Sequence, residues 1–202
     1  MAIISNAVTI ADAGAFSVSL GSITLIKTIA ASNAATVSFV GGASSVVLDG
    51  TYPTYVFKFY NMHPESADRQ LTFQGSADAG SNYNIAMTST NFYTYYAGGT
   101  AYFEVDGAGD QGNGTDFQRI STTVKNDDDA GSSGELTIYS PSNTTFVKHF
   151  ISKVHAYNQD NASATTYSAG YFNTASALNA FQFKQRTGNI NGTIKLYGIK
   201  DS

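Results

Sequence analysis

The chain has 202 residues, enough for one sizeable domain, and its 13% charged residues exclude a coiled coil. Thirteen tyrosines and 13 phenylalanines exclude a disordered chain and, with 19 glycines, suit many aromatic strands joined by tight turns. A net charge of −4, with only 11 lysines and arginines placed singly, offers no basic stripe and argues against nucleic acid as a partner.

In chain order, residues 7–10, 16–20 and 23–29 are short apolar runs separated by Gly14 and Gly21. Phe16, Val18 and Leu20 alternate with serine, the pattern of a half-buried strand. Residues 1–22 are read as an N-terminal arm or edge strands. Its apolar positions Ile3, Ile4, Val8, Ile10, Phe16, Val18 and Leu20 are available to pack on a neighbouring subunit. Residues 23–202 are read as the β-sandwich domain.

Strands are predicted over residues 35–39, 45–48 and 52–60. In the third, Tyr55, Phe57 and Phe59 share one face, and Pro53 belongs at its start or on an edge. Residues 71–74 form the returning strand and 75–82 a turn-rich loop, followed by strands at 83–87, 91–96 and 101–105. The segment 106–116 holds four glycines and reads as a long surface loop. A weak strand over 117–124, the acidic loop 126–134, a strand at 136–139 and a long strand over 146–157 come next. The last 40 residues carry two strand-like runs, 180–184 and 193–197, expected to close the domain as a hairpin through 187–192. About a dozen short strands with no helical period predict one all-β, antiparallel β-sandwich of jelly-roll type. Nothing is available for crossover helices, and no fixed-period repeat recurs.

Candidate chemistry is sparse. Asp106, Asp110, Asn113 and Asp116 are a weak calcium candidate, because hard oxygen donors in a glycine-rich loop suit that ion. Their spacing fits no EF-hand, and the same residues are the ordinary ones of turns. His149 and His155 lie six residues apart, about 20 Å in extended chain, and so do not share a metal without a third element. No cysteine is present for a disulfide or a thiolate zinc site. Nucleophile elbows, phosphate loops and zinc-protease motifs are absent, so no enzyme, catalytic residue or cofactor is expected. Tyr93, Tyr95, Tyr96, Tyr102 and Tyr167 are candidates for glycan stacking or for subunit contact, since tyrosine joins a flat apolar face to a polar tip. No secretory leader and no apolar run of about 18 residues is visible, so cytoplasmic synthesis and no membrane partner are expected.

The succession of residues 35–39, 52–60, 71–83, 167–171, 177–183 and 188–199 resembles a recurrent module of tailed-bacteriophage virion proteins. In that module an aspartate-glycine-serine-asparagine-tyrosine loop comes early, here Asp78 to Tyr83 with Ala79 between the aspartate and the glycine. A leucine-tyrosine-glycine-isoleucine signature, here Leu196 to Ile199, closes the domain. The resemblance implies a β-sandwich on the virion surface, made in the host cytoplasm. The expected role is capsid decoration (a cement protein) on the outer head, with the major capsid protein and further copies of itself, as a trimer, for partners. The alternative it implies is a receptor-binding or fibre module of the tail recognising host surface glycan.

Overall fold

The computed structural model describes residues 23–66 and 68–200, together with the backbone of three short strands before them. Those are β1 (Ile3–Ser5), β2 (Val8–Asp12) and β3 (Ala15–Phe16), which pair with one another as an antiparallel meander. Of the arm residues expected from the sequence, Val18 and Leu20 lie outside the described residues.

All pairings are antiparallel, and among the described residues there is no helix. The larger sheet runs in the order β4 (Ile23–Ala34), β16 (Ile190–Ile199), β6 (Thr54–Pro64), β12 (Ser132–Tyr139), β13 (Lys148–Tyr157), β14 (Ser163–Phe172) and β8 (Met87–Ala97). Two short strands, β9 (Thr100–Val105) and β10 (Gly112–Gly114), pair with β8 along its outer edge. The smaller sheet is β11 (Gln118–Arg119), β7 (Leu71–Ser76), β15 (Ala180–Gln185) and β5 (Val37–Val40).

The two sheets face each other across a phenylalanine core. On β6, Tyr55, Phe57 and Phe59 point inward as the alternation predicts, and all three are buried. The Phe57 ring lies 5.2 Å from Phe39 on β5 and 5.5 and 4.9 Å from Phe181 and Phe183 on β15. Edge-on contacts predominate, as the ring quadrupoles favour. Phe73 repeats the arrangement one strand over, 5.1 Å from Phe150 and 6.0 Å from Phe172.

Three expectations change here. Strands β15 and β16 do not form a closing hairpin: β15 pairs with β5 and β7, whereas β16 pairs with β4 and β6. Both runs carry inward apolar residues, and facing sheets satisfy that pattern as well as a hairpin does, so residues 186–189 pass at the surface from the smaller sheet to the larger. Residues 45–48 form no strand; Val46 and Leu48 are buried from a turn-rich segment. Strand β8 starts only at Met87, and residues 83–86 are irregular because their backbone serves another partner: Gln74 Nε2 donates to Ile85 O at 3.1 Å.

One charge sits in this interior. Lys148 is fully buried at the start of β13, and its Nζ donates to the carbonyls of Phe146 (2.7 Å), Ala175 (2.9 Å) and Thr174 (3.2 Å). Burial pulls its ammonium below the usual lysine value. The three carbonyls are strapped together by one cation, which fixes the turn where the chain leaves β14 for the smaller sheet.

Two stability outcomes follow. Phe57→Ala removes the ring that three others meet and is expected to cost about 3–5 kcal/mol, read from urea unfolding. Lys148→Met keeps most of the volume but leaves three carbonyls without a donor, and is expected to cost about 2–4 kcal/mol in the same measurement.

Candidate functional site

The core is apolar where both sheets cover it and turns polar where the larger sheet continues past β11. The change is written in the inward positions of β8, which read Met87, Ser89, Asn91, Tyr93 and Tyr95. On the adjacent β14 the inward positions are Phe172, Gly170, Ser168, Thr166 and Ala164, in register with them. Gln118 of β11 knits the middle of this layer. Ser89 Oγ donates to its Oε1 at 2.6 Å, and its Nε2 donates to Gly109 O at 2.9 Å.

Beyond Gln118 lies a cleft of about 190 Å³. One wall is Tyr93 and Tyr95; the other comes from Arg119, Ser121, Thr122 and Thr123, with Asn158, Gln159 and Asp160 at the turn after β13. The tyrosine wall is fixed from behind. Tyr93 donates its hydroxyl hydrogen to Glu104 Oε2 at 2.6 Å, across the β8–β9 hairpin. Tyr95 stacks on Tyr102 at 4.7 Å with the planes 17° apart. The hydrogen bond to Glu104, reinforced by burial and by that carboxylate's charge, pushes the Tyr93 phenol far above the ordinary tyrosine range.

The loop between β9 and β10 closes one end. Asp106 Oδ1 accepts from Gly109 N at 3.1 Å, while its Oδ2 lies 4.0 Å from Arg119 Nη1. A Cβ at Gly109 would come within 2.5 Å of both Asn91 Nδ2 and Asp106 Oδ2, so a larger residue there would have to displace one or both of these side chains.

The five tyrosines named from the sequence are divided by this geometry. Tyr93, Tyr95 and Tyr102 share the cleft side of the hairpin. Tyr167 is on the opposite face, stacked on Phe92 at 5.0 Å, and Tyr96 has the same strand parity as Phe92. That outer face also exposes Phe103 and Val105.

The acidic loop residues serve separate partners. Asp110 Oδ1 accepts from Asn91 N at 2.6 Å, and Asn113 Oδ1 accepts from Asn173 Nδ2 at 2.7 Å. Asp116 contributes its carbonyl to Gln74 at 3.2 Å. Among the described residues, no three histidine, cysteine, aspartate or glutamate side chains converge as metal ligands. The histidines are dispersed: His63 Nδ1 meets Ala130 O at 2.9 Å, His155 Nε2 meets Ser163 Oγ at 2.9 Å, and His149 packs on Tyr171. The Asp78 loop is held by its own side chains and by Asn179, whose Oδ1 accepts from Ala79 N at 2.8 Å. Ser76 Oγ, Asn82 Nδ2 and Asn82 N all donate to the Asp78 carboxylate, holding it down to about 2.

Sequence reasoning had singled out the tyrosines but not Arg119, Asn158, Gln159 or Asp160. The polar wall is assembled from two loops about 40 residues apart, and no spacing rule joins them.

No family model matches the sequence, and neither the curated proteins nor the solved structures include a significant match.

The Tyr93–Glu104 bond makes a prediction with a definite sign. A phenol whose proton is held more tightly in the folded state stabilises the fold below pH 10 and loses that contribution as pH rises through its folded value. In Glu104→Gln, Tyr93 is expected to ionise at lower pH in an ultraviolet titration, and the alkaline part of the stability profile should flatten.

Proposed function

We propose that the chain is a bacteriophage virion structural protein, a capsid decoration (cement) protein. In this reading it sits on the outer head surface and stabilises contacts between capsomers. Its body is read as a sandwich of jelly-roll type. The chain passes repeatedly between the sheets, from β4 to β5, β6, β7 and β8 in succession, which supports that reading.

The observation that carries the assembly role is the outer face of the larger sheet. A groove of about 570 Å³ is lined there by Ile23, Val56, Tyr60, Tyr139, Tyr197 and Ile199. Ile23 and Leu25 are 62% and 51% exposed, and Tyr60 and Tyr139 about as open as a surface polar residue at 41% and 40%. The charges within it, Lys58 and Glu135, answer each other at 3.7 Å, leaving an apolar surface of low net charge. Such a surface suits a protein partner better than water. Its occupant in this reading is a neighbouring copy of the chain, whose apolar residues 1–22 lead directly into Ile23 at the groove. The outer edge of β4 carries no further strand among the described residues, so backbone donors and acceptors are open beside the same groove. A seat of about 1,000 Å² or more per contact, arm and sheet face together, is the scale of a specific interface. A trimer bound to the major capsid protein is the proposed state.

Image reconstruction of the particle is the decisive measurement. Hundreds of copies over the head are expected; a handful confined to the tail would sink the decoration reading. On the purified chain, Tyr139→Asp and deletion of residues 1–22 are each expected to keep a folded β-sheet far-ultraviolet spectrum and reduce the oligomer to monomer in light scattering. If the deleted chain instead unfolds, residues 1–22 belong to the core and the arm is refuted.

The tyrosine wall of the cleft favours a second reading, a tail receptor-binding or fibre module that takes host surface glycan.

A further inference from the structure

We infer that the cleft between Tyr93–Tyr95 and the Arg119–Thr123 and Asn158–Asp160 loops is a saccharide subsite that takes a single uncharged pyranose ring. It lies on the inner side of the larger sheet, opposite the apolar groove, and works whether the chain coats a head or stands on a tail.

Four observations point there. The first is the unmet hydrogen-bonding capacity. Among the described residues, six buried side-chain nitrogen and oxygen atoms have no hydrogen-bond partner; Thr122 Oγ1 belongs to the cleft lining, and both polar atoms of Asn91 and Thr166 Oγ1 lie beside Tyr93 on the inward face of β8 and β14. Asn91 is 1% exposed, and Thr166, at 2%, is the cross-strand neighbour of Tyr93. Buried polar groups are costly to leave unpaired, and native folds keep them at this density where something else depends on them.

The second is the lining. Two phenol rings face amides, hydroxyls and a guanidinium–carboxylate pair. That combination matches the two surfaces of a pyranose, whose axial C–H groups pack on an aromatic ring while its hydroxyls take paired donors and acceptors. The tyrosines need no reorganisation to serve, because Glu104 and Tyr102 hold them from behind.

The third is charge. The lining carries one cation, Arg119, and two anions, Asp106 and Asp160, and Arg119 already faces Asp106 at 4.0 Å. A phosphate or another anion finds no free cation there, which removes nucleotides and sialic-acid-like sugars from the candidates. The fourth is size and polarity. About 190 Å³ is below the ~300–1,000 Å³ of sites for drug-sized ligands, and mostly polar walls do not suit an apolar guest.

The test uses the full chain, labelled with nitrogen-15, and four probes: methyl glucoside, methyl galactoside, methyl mannoside and N-acetylglucosamine, with glycerol as a polyol control. At least one sugar is expected to shift amides of residues 119–123 and 158–160 saturably, with a Kd on the order of 1–10 mM and no equivalent effect of glycerol. Asp160→Ala, at an exposed turn position, and Tyr95→Ala are each expected to weaken that binding by about five-fold or more. No shift with any sugar, shifts located elsewhere, an equal response to glycerol, or undiminished binding in Asp160→Ala would each overturn the proposal. Light scattering of the same variants separates this result from the assembly reading, since the cleft substitutions are expected to leave the oligomer intact.

Discussion

The constraint on which the rest depends is the meeting of Phe57 with Phe39, Phe181 and Phe183. These rings come from β6 in one sheet and from β5 and β15 in the other, so their contacts are the attachment between layers. Neither sheet has a comparable way to bury its inner face alone. Fixing the two layers at this point also fixes where they stop covering each other, because the smaller sheet has four strands and the larger one nine. The uncovered remainder of the larger sheet is where the inner residues change from phenylalanine to serine, asparagine and tyrosine.

That mismatch gives the molecule two different surfaces. On the outside of the larger sheet, near β4 and β6, exposed apolar side chains surround a self-neutralised lysine–glutamate pair. On the inside, near β8 and β9, polar loops close over a tyrosine wall. The first surface is suited to a large protein partner and the second to a small polar one. They sit toward opposite margins of the sheet, six strands apart between β4 and β8 in the pairing order, with the phenylalanine core between.

How much of this the amino-acid sequence revealed depended on contrast between successive side chains. Strand β6 was legible because Tyr55, Phe57 and Phe59 share one face, and that inward set is the one expected; β13 was legible from its β-branched and aromatic content, and β16 from its short strand-like run. Strand β14 was not, because its inward residues Ala164, Thr166 and Ser168 are as small or polar as its outward ones. The span Thr88–Thr90 within β8 was obscured in the same way. Strand β7 is buried on both faces, so alternation carries no information there. The relation of β15 to β16 was misread because a run of inward phenylalanines says that a strand faces a core, not which sheet it belongs to. At the cleft, chemistry marked the tyrosines, while the wall opposite them depends on tertiary folding of Arg119–Thr123 against Asn158–Asp160.

The place of β16 between β4 and β6 has a consequence for how the chain reaches its fold. Residues 190–199 pair on one side with residues 23–34 and on the other with residues 54–64, a separation of well over 100 positions in both directions. During synthesis, β4 and β6 are complete long before the strand that joins them leaves the ribosome. Closing so large a loop makes the folding step slow relative to helical proteins of this size, and it leaves two strand edges open in the interval. Lys58 on β6 lies opposite Lys195 on β16, and Lys27 on β4 lies one position along, opposite Leu196. Charges on strands with open edges discourage pairing with other chains. The strand beside the β4 edge of the finished sheet is thus its last addition, and the lysines of β4 and β6 flank the gap until it is filled.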